Sequence, residues 1–214
     1  MQISNYSNPF DAVSEFEQAV AQYTGAPYCI STDSCTHAIE IAFRLTHAED
    51  YVTFPAQTYL SILMTLQKLN IPYHLTDDKW TGEYQFEGSQ VWDSARRFEP
   101  DMYRPGQVQC ISFGRSKPLQ IGRGGCILTD NRDLHEAASL MRMDGRDIFK
   151  YSPWSKQGTF KIGYHYYMKP EDCVTGLTLL HNNQFTEQLP EFYNYPDCRE
   201  LTIVPYRKIN ISQS

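Results

Sequence analysis

The sequence predicts an α/β fold in three layers, α/β/α, built around a mostly parallel sheet. Short apolar runs alternate with segments of helical period from residue 10 to residue 143. The first run, Pro27 to Thr32, reads as a buried strand, the kind found in sheets covered on both faces. At 214 residues, 41% of them hydrophobic and 21% charged, the chain is long enough to bury a substantial core.

In order, residues 10–24 place Val13, Phe16, Val20 and Tyr23 at helical spacing, and Gly25 supplies a stop. Pro27 to Thr32 is a strand, and Thr36 to Leu45 the helix after it, with Ala38, Ile39, Ala42, Phe43 and Leu45 inward. Tyr51 to Pro55 is the next strand. Thr58 to Leu69 follows as a helix with Leu60, Leu63, Met64, Leu66 and Leu69 toward the core, and Pro72 to Leu75 is a short strand. Thr76 to Ser89 reads as polar loop. Strands at Gln90 to Asp93, Val108 to Phe113 and Gly125 to Thr129 come next, then a helix from Asp133 to Met143 with Leu134, Ala137, Ala138 and Met141 inward. Aromatic residues crowd Phe149 to Tyr167, Pro170 opens a helix through Leu180, and the tail after Pro190 is strand or loop.

Composition narrows the function. A net charge of −6 without a basic stripe argues against nucleic acid as a partner. No apolar run is long enough to span a membrane, and the N-terminus lacks the pattern of a signal peptide, so a cytoplasmic location is expected. The six cysteines form no Cys-x-x-Cys pair, and four lie in or beside strand-like runs; buried reduced thiols fit better than disulfides or zinc.

Three stretches carry chemistry, each after the C-terminal end of a strand. Ser112-Phe113-Gly114-Arg115-Ser116-Lys117 delivers a lone lysine into a loop that closes on Gly122-Arg123-Gly124-Gly125. By itself such a lysine also reads as a solvated loop charge. Val91-Trp92-Asp93 ends a strand in a carboxylate, which Arg96 or Arg97 could equally pair. Asp33-Ser34-Cys35-Thr36 joins a strand to a helix, where Ser34 can cap and the N–H groups of Cys35 and Thr36 can meet a phosphate, although most such hydroxyls are only caps. An amine, a carboxylate and an anion site at strand ends suit an aldehyde cofactor with a phosphate arm and a basic ring nitrogen. A nucleotide loop at Gly122–Gly125 is disfavoured, since neither Gly-x-Gly-x-x-Gly nor a Gly-Lys-Ser/Thr ending is present.

In combination these stretches resemble the DegT/DnrJ/EryC1/StrS family of pyridoxal-phosphate sugar aminotransferases, a fold type I group. The family's Asn-Ser-Gly-Thr-x-Ala-Leu is similar to Asp33-Ser34-Cys35-Thr36-His37-Ala38-Ile39, and its Pro-x-x-Thr-aromatic to Pro55-Ala56-Gln57-Thr58-Tyr59. Asp-Ala-Ala-Gln is similar to Asp93-Ser94-Ala95-Arg96, the family's lysine block to Ser112 through Gly125, and Gly-Tyr-Asn-Tyr-Arg-Met to Gly163-Tyr164-His165-Tyr166-Tyr167-Met168. The resemblance implies pyridoxal 5′-phosphate as cofactor, with Lys117 forming the internal aldimine and Asp93 at the pyridine nitrogen. It further implies Tyr59 stacked on the ring, Ser34, Cys35, Thr36 and Ser112 at the phosphate, and Arg96 near the cofactor oxygen. His165 would reach the partner's phosphate in a two-fold homodimer. The implied reaction is amino transfer from glutamate or glutamine to a keto-sugar nucleotide; lysine, in place of the histidine of the dehydratase branch, favours it.

The departures are Arg96 for glutamine, Cys35 for glycine, Arg123 for glutamate, His165 for asparagine and Tyr167 for arginine. Against the fold type I large domain, one strand unit between Leu75 and Val91 and most of the small domain are missing. The expected organisation is a cofactor-binding large domain at 1–145 and an interface segment with a truncated C-terminal region at 146–214. The alternative is a degenerate, non-catalytic member that binds the cofactor or another ligand without turnover.

Overall fold

The computed structural model describes residues 2–186 and 195–204. Helix α1, Asp11–Thr24, buries Val13, Phe16 and Val20 and ends where Gly25 adopts a left-handed φ of 74° and returns its N–H to Ala21. Strand β1, Tyr28–Thr32, leads into α2, Cys35–Leu45. Strand β2, Ala48–Pro55, leads through a turn into α3, Ser61–Leu69, and then β3, Tyr73–Thr76. Helix α3 begins later than its sequence suggests, so Thr58, Tyr59 and Leu60 stand in the turn before it. Its buried face is Ile62, Leu63 and Leu66, while Leu60 and Met64 are exposed.

Residues 76–89 are not simply a loop. They contain two short strands, β4, Tyr84–Gln85, and β5, Glu87–Ser89. Strands β6, Val91–Asp93, β7, Val108–Ser112, and β8, Gly125–Thr129, follow, then helices α4, Arg132–Met141, and α5, Pro170–His181. Among the described residues, one sheet runs β1-β8-β7-β6-β4 and a second runs β3-β2-β5.

The sheets are mixed in direction. β6 and β7 are parallel, as are β2 and β3, but β1 and β7 both run antiparallel to β8. The connection from β7 to β8 contains no helix to carry the chain back, so β8 returns beside β7 in the opposite direction. The segment 84–89 joins the two sheets: Tyr84 and Gln85 pair antiparallel with Asp93 and Trp92 of β6, while Glu87 and Ser89 pair with Thr53 and Ala48 of β2. Phe86, between the two halves, is fully buried against Phe43 and Phe54. Two strands too short to stand alone therefore fill the space between β6 and β2.

Alternate residues of β1, β7 and β8 face opposite ways, which produces the three layers. Ile30, Cys110 and Ile127 pack with α2, α3 and α4, and Cys29, Ile111 and Leu128 pack with α1 and α5. All six cysteines are free thiols, five of them buried. The tail expected as strand or loop lies outside the described residues at 190–194 and 205–214. Between them, residues 195–204 lie as a strap against the β2–α3 turn, with Asp197 bridged to Gln57.

Candidate active site

A cavity of about 510 Å³ opens at the C-terminal ends of β1, β6 and β7, between α2 and α3. Ser34, Cys35, Thr36, Tyr59, Asp93, Arg96, Ser112 and Lys117 all line it. Its size is that of an ordinary small-molecule site. Residues from three separated stretches of sequence converge there because their strands lie in one half of the fold and end at one edge.

The anion end is built by helix α2. Ser34 accepts the His37 N–H at 3.2 Å and donates to Asp33 Oδ1 at 3.2 Å, so its hydroxyl is committed to the cap. The first-turn N–H groups of Cys35 and Thr36 have no acceptor within the helix and point along its positive end. Gly125 lets β8 approach them: a Cβ there would overlap the Cys35 nitrogen and lie 2.7 Å from the Ser34 carbonyl carbon and the Ile111 carbonyl oxygen. Arg123, in the glycine turn, adds a guanidinium held by the Asp33 carbonyl at 3.2 Å and carboxylate at 3.1 Å. Burial opposes charge on Asp33, but His37, Ser34 and Arg123 outweigh it and hold its carboxyl below the ordinary value. Thr36 Oγ1 lies 2.8 Å from Ser61 Oγ, and Ser112 Oγ accepts the Gly114 N–H at 3.4 Å.

The carboxylate end is Asp93, only 6% exposed. Its Oδ1 accepts the Ala95 N–H at 2.9 Å and its Oδ2 the Tyr84 hydroxyl at 3.0 Å. Thr58 Oγ1 lies 2.5 Å from the same hydroxyl. Burial pushes the Asp93 carboxyl up, against the pull of Ala95, Lys117 and Tyr84. Neither Arg96 nor Arg97 takes Asp93 as an ion-pair partner; Arg97 pairs with Glu83 and Glu99. Burial and the Asp93 charge push the Cys35 thiol well up, so it is a neutral lining group and no nucleophile.

Lys117 Nζ donates to Tyr195 Oη across 3.5 Å, and Arg96 donates to the same oxygen across 3.4 Å. Tyr59 is 59% exposed and stands before α3, not within it, with its ring 6.3 Å from that of Tyr195. Trp80 completes the wall and stacks on Tyr195 at 6.0 Å and 19°. His165 lies outside the cavity, on the surface, its Nδ1 2.9 Å from Asp144 Oδ2. Its neighbours Tyr164 and Tyr166 fold back over α2, where Tyr166 stacks on His37 at 3.6 Å and Arg44 lies over Tyr164.

Sequence reasoning missed Tyr84, Trp80 and Tyr195. Tyr84 had only a fragment of a signal: an aromatic, a polar and an aromatic residue at 84–86 between Gly82 and Gly88, too short a run to establish a period. Tyr195 had none, since only the folding of the strap brings it to Lys117.

The donor set fits an aldehyde cofactor with a phosphate arm: an amine, a buried carboxylate, an anion-binding helix end on which Gly125 lets β8 pack closely, and aromatic walls. The sequence profile of the DegT/DnrJ/EryC1/StrS aminotransferase family matches residues 1–77 and 104–189. The chain belongs to this family. The unmatched interval, 78–103, holds β4, β5, β6 and Asp93, the part of the fold where two short strands bridge the sheets. The UDP-4-amino-4,6-dideoxy-N-acetyl-beta-L-altrosamine transaminase of Campylobacter jejuni is 23% identical over 231 residues, covering 85% of this chain and 61% of the relative. Among solved structures, Helicobacter pylori PseC, an aminotransferase involved in the biosynthesis of pseudoaminic acid, superimposes with a TM-score of 0.64 at 16% identity. It covers 80% of this chain and 57% of that one. AtS13 from Actinomadura melliaura gives a TM-score of 0.64 at 20% identity, covering 84% and 62%. The family fold is thus present in a chain that spans about three fifths of these relatives.

Proposed function

We propose that this family member is a pyridoxal-phosphate-dependent aminotransferase that carries an amino group from glutamate or glutamine to a keto-sugar nucleotide. The observation that carries the reading is the meeting of Lys117, Asp93 and the α2 N-terminus around one cavity. The Campylobacter relative's name, a UDP-sugar transaminase, supports the acceptor class.

When bound, pyridoxal 5′-phosphate supplies an aldehyde that takes an amine covalently and a ring that withdraws electrons. The N–H groups of Cys35 and Thr36, with Ser112, hold the phosphate, and Arg123 adds positive charge beside it. Asp93, buried and drawn on by Lys117 alone among the cations of the site, would hold a proton at the ring nitrogen. Tyr59 orients the ring plane. Lys117 Nζ, which lines the cavity beside Asp93, would be the amine that holds the aldehyde and, as a free base, the group that moves the proton at the donor α-carbon. Arg96 stands where relatives carry glutamine.

The domain division proposed from sequence, a cofactor-binding unit at 1–145 followed by an interface segment, goes with a two-fold dimer. Phe149, Trp154, Phe160 and Ile162 are all exposed, and a cluster of this kind is what a second copy would cover. His165, on the same side segment, then serves the partner's phosphate.

A second reading, a member that binds the cofactor without turnover, is favoured by Arg96, which puts a cation where the family motif has glutamine. Glutamate and glutamine, each added to the cofactor-loaded protein, separate the two. A transaminase discharges the absorbance of the lysine-bound cofactor with one of them and forms the matching 2-oxo acid in equal amount; a persistent absorbance with no keto acid from either donor leaves the second reading standing.

A further inference from the structure

We infer that Tyr195, on the strap at 195–204, is a positioning residue for Lys117, an inference that rests on the role given to Lys117 above. Lysine carries a flexible four-carbon stem and three donors, so nothing in its own chemistry selects one direction. A fixed acceptor does. Tyr195 Oη lies within reach of Lys117 Nζ, at 3.5 Å, and of Arg96, at 3.4 Å, so one phenolic oxygen with two lone pairs receives both cations.

The phenol itself is held from several sides. The Cys198 N–H donates to the Ala56 carbonyl at 3.0 Å, and Asp197 bridges Gln57 in antiparallel pairing. The Cys198 thiol is buried against the Thr58 carbonyl at 3.5 Å, and Arg199 pairs with Asp77 at 2.6 Å. The Tyr195 ring lies on Trp80, whose Nε1 donates to the Gln57 carbonyl at 2.8 Å. The strap is therefore pinned to the same β2–α3 turn that carries Tyr59. With Tyr195 in its lining the cavity keeps about 510 Å³, so the phenol forms a wall and does not fill the site.

The test uses the cofactor-free protein and reads Lys117 directly. Wild type, Tyr195→Phe and Tyr195→Ala are acetylated with N-hydroxysuccinimidyl acetate, and each lysine is followed by peptide mass spectrometry. Tyr195→Phe keeps the stacked ring and removes only the acceptor. Lys117 should then label roughly two- to fivefold faster, the loss of one hydrogen bond of ordinary net strength, while the exposed Lys150 and Lys169 keep their rates. Tyr195→Ala, which removes the shielding ring too, should exceed that increase. Equal Lys117 rates in wild type and Tyr195→Phe would overturn the inference. Because no cofactor takes part, that result would leave the aminotransferase reading untouched, and a failure to bind pyridoxal phosphate would leave the labelling result untouched.

Discussion

Tyr84 donates its hydroxyl to Asp93 Oδ2 at 3.0 Å, across the antiparallel pairing of β4 with β6. The segment that bridges the two sheets therefore also reaches the buried carboxylate of the site. Tyr84→Phe leaves the ring packed against Phe54, Trp80 and Phe86 but removes a bond to Asp93 and one to Thr58. The variant should lose about 1–3 kcal/mol in urea unfolding, the range for leaving buried polar groups unpaired. An unchanged midpoint would show that β4 does not support Asp93.

Asp93 gives a pH dependence whose sign follows from its raised carboxyl. Between the ordinary value of 3.8 and the higher folded value, the unfolded chain has released a proton that the folded chain keeps. Stability contributed by this group thus falls as pH rises through that window and stays lower above it. Asp93→Asn, neutral throughout, should melt at a higher temperature than wild type at neutral pH in the absence of cofactor. The advantage should vanish on acidification below the ordinary carboxylate value. A variant less stable than wild type at pH 7 would contradict the burial argument. With cofactor loaded, the same substitution should leave binding intact and slow the glutamate half-reaction severely.

Gly125 tests the anion end. Gly125→Ala places a methyl group against backbone atoms of Ser34, Cys35 and Ile111, none of which can rotate away. The expected cost is about 1–3 kcal/mol, as for other overpacked sites, with weakened binding of pyridoxal 5′-phosphate. Binding at wild-type strength would show that the close approach of β8 to α2 does not shape the phosphate site.

Assembly follows from the exposed apolar cluster. The purified protein should sediment as a dimer at micromolar concentration, with a melting temperature that rises with protein concentration, and the double substitution Trp154→Ser, Phe160→Ser should shift it toward monomer and remove that concentration dependence. A wild-type monomer that nevertheless holds its cofactor would contradict both the dimer and the shared role of His165.

How far the sequence could be read depended on whether each signal was local. Helices α1, α2 and α5 were legible from apolar spacing, with Gly25 and Pro170 marking ends, and Ser34 was legible as a cap. Lys117, Asp93 and the Ser34–Thr36 turn were legible as candidates because each stands at or just after the end of a strand. Strand direction was not, because no residue of β8 records that the loop before it lacks a helix. β4 and β5 were hidden by length: two and three residues cannot show a period, and their partners lie on two different strands. The exposed positions of Leu60 and Met64 were misread because most residues from Leu60 to Leu66 are apolar, so spacing alone could not choose the face that the core takes, Ile62, Leu63 and Leu66. Tyr195 reaches Lys117 over 78 residues of separation, a contact that no local pattern encodes.

Lys117 is the residue proposed to take the cofactor aldehyde. Incubation with pyridoxal 5′-phosphate, reduction with borohydride and peptide mass spectrometry locate the attached group directly. A single pyridoxyl-phosphate adduct is expected on Lys117, absent from Lys117→Ala although that variant remains folded; an adduct on Lys150 or Lys161 in its place would rule out the role of Lys117.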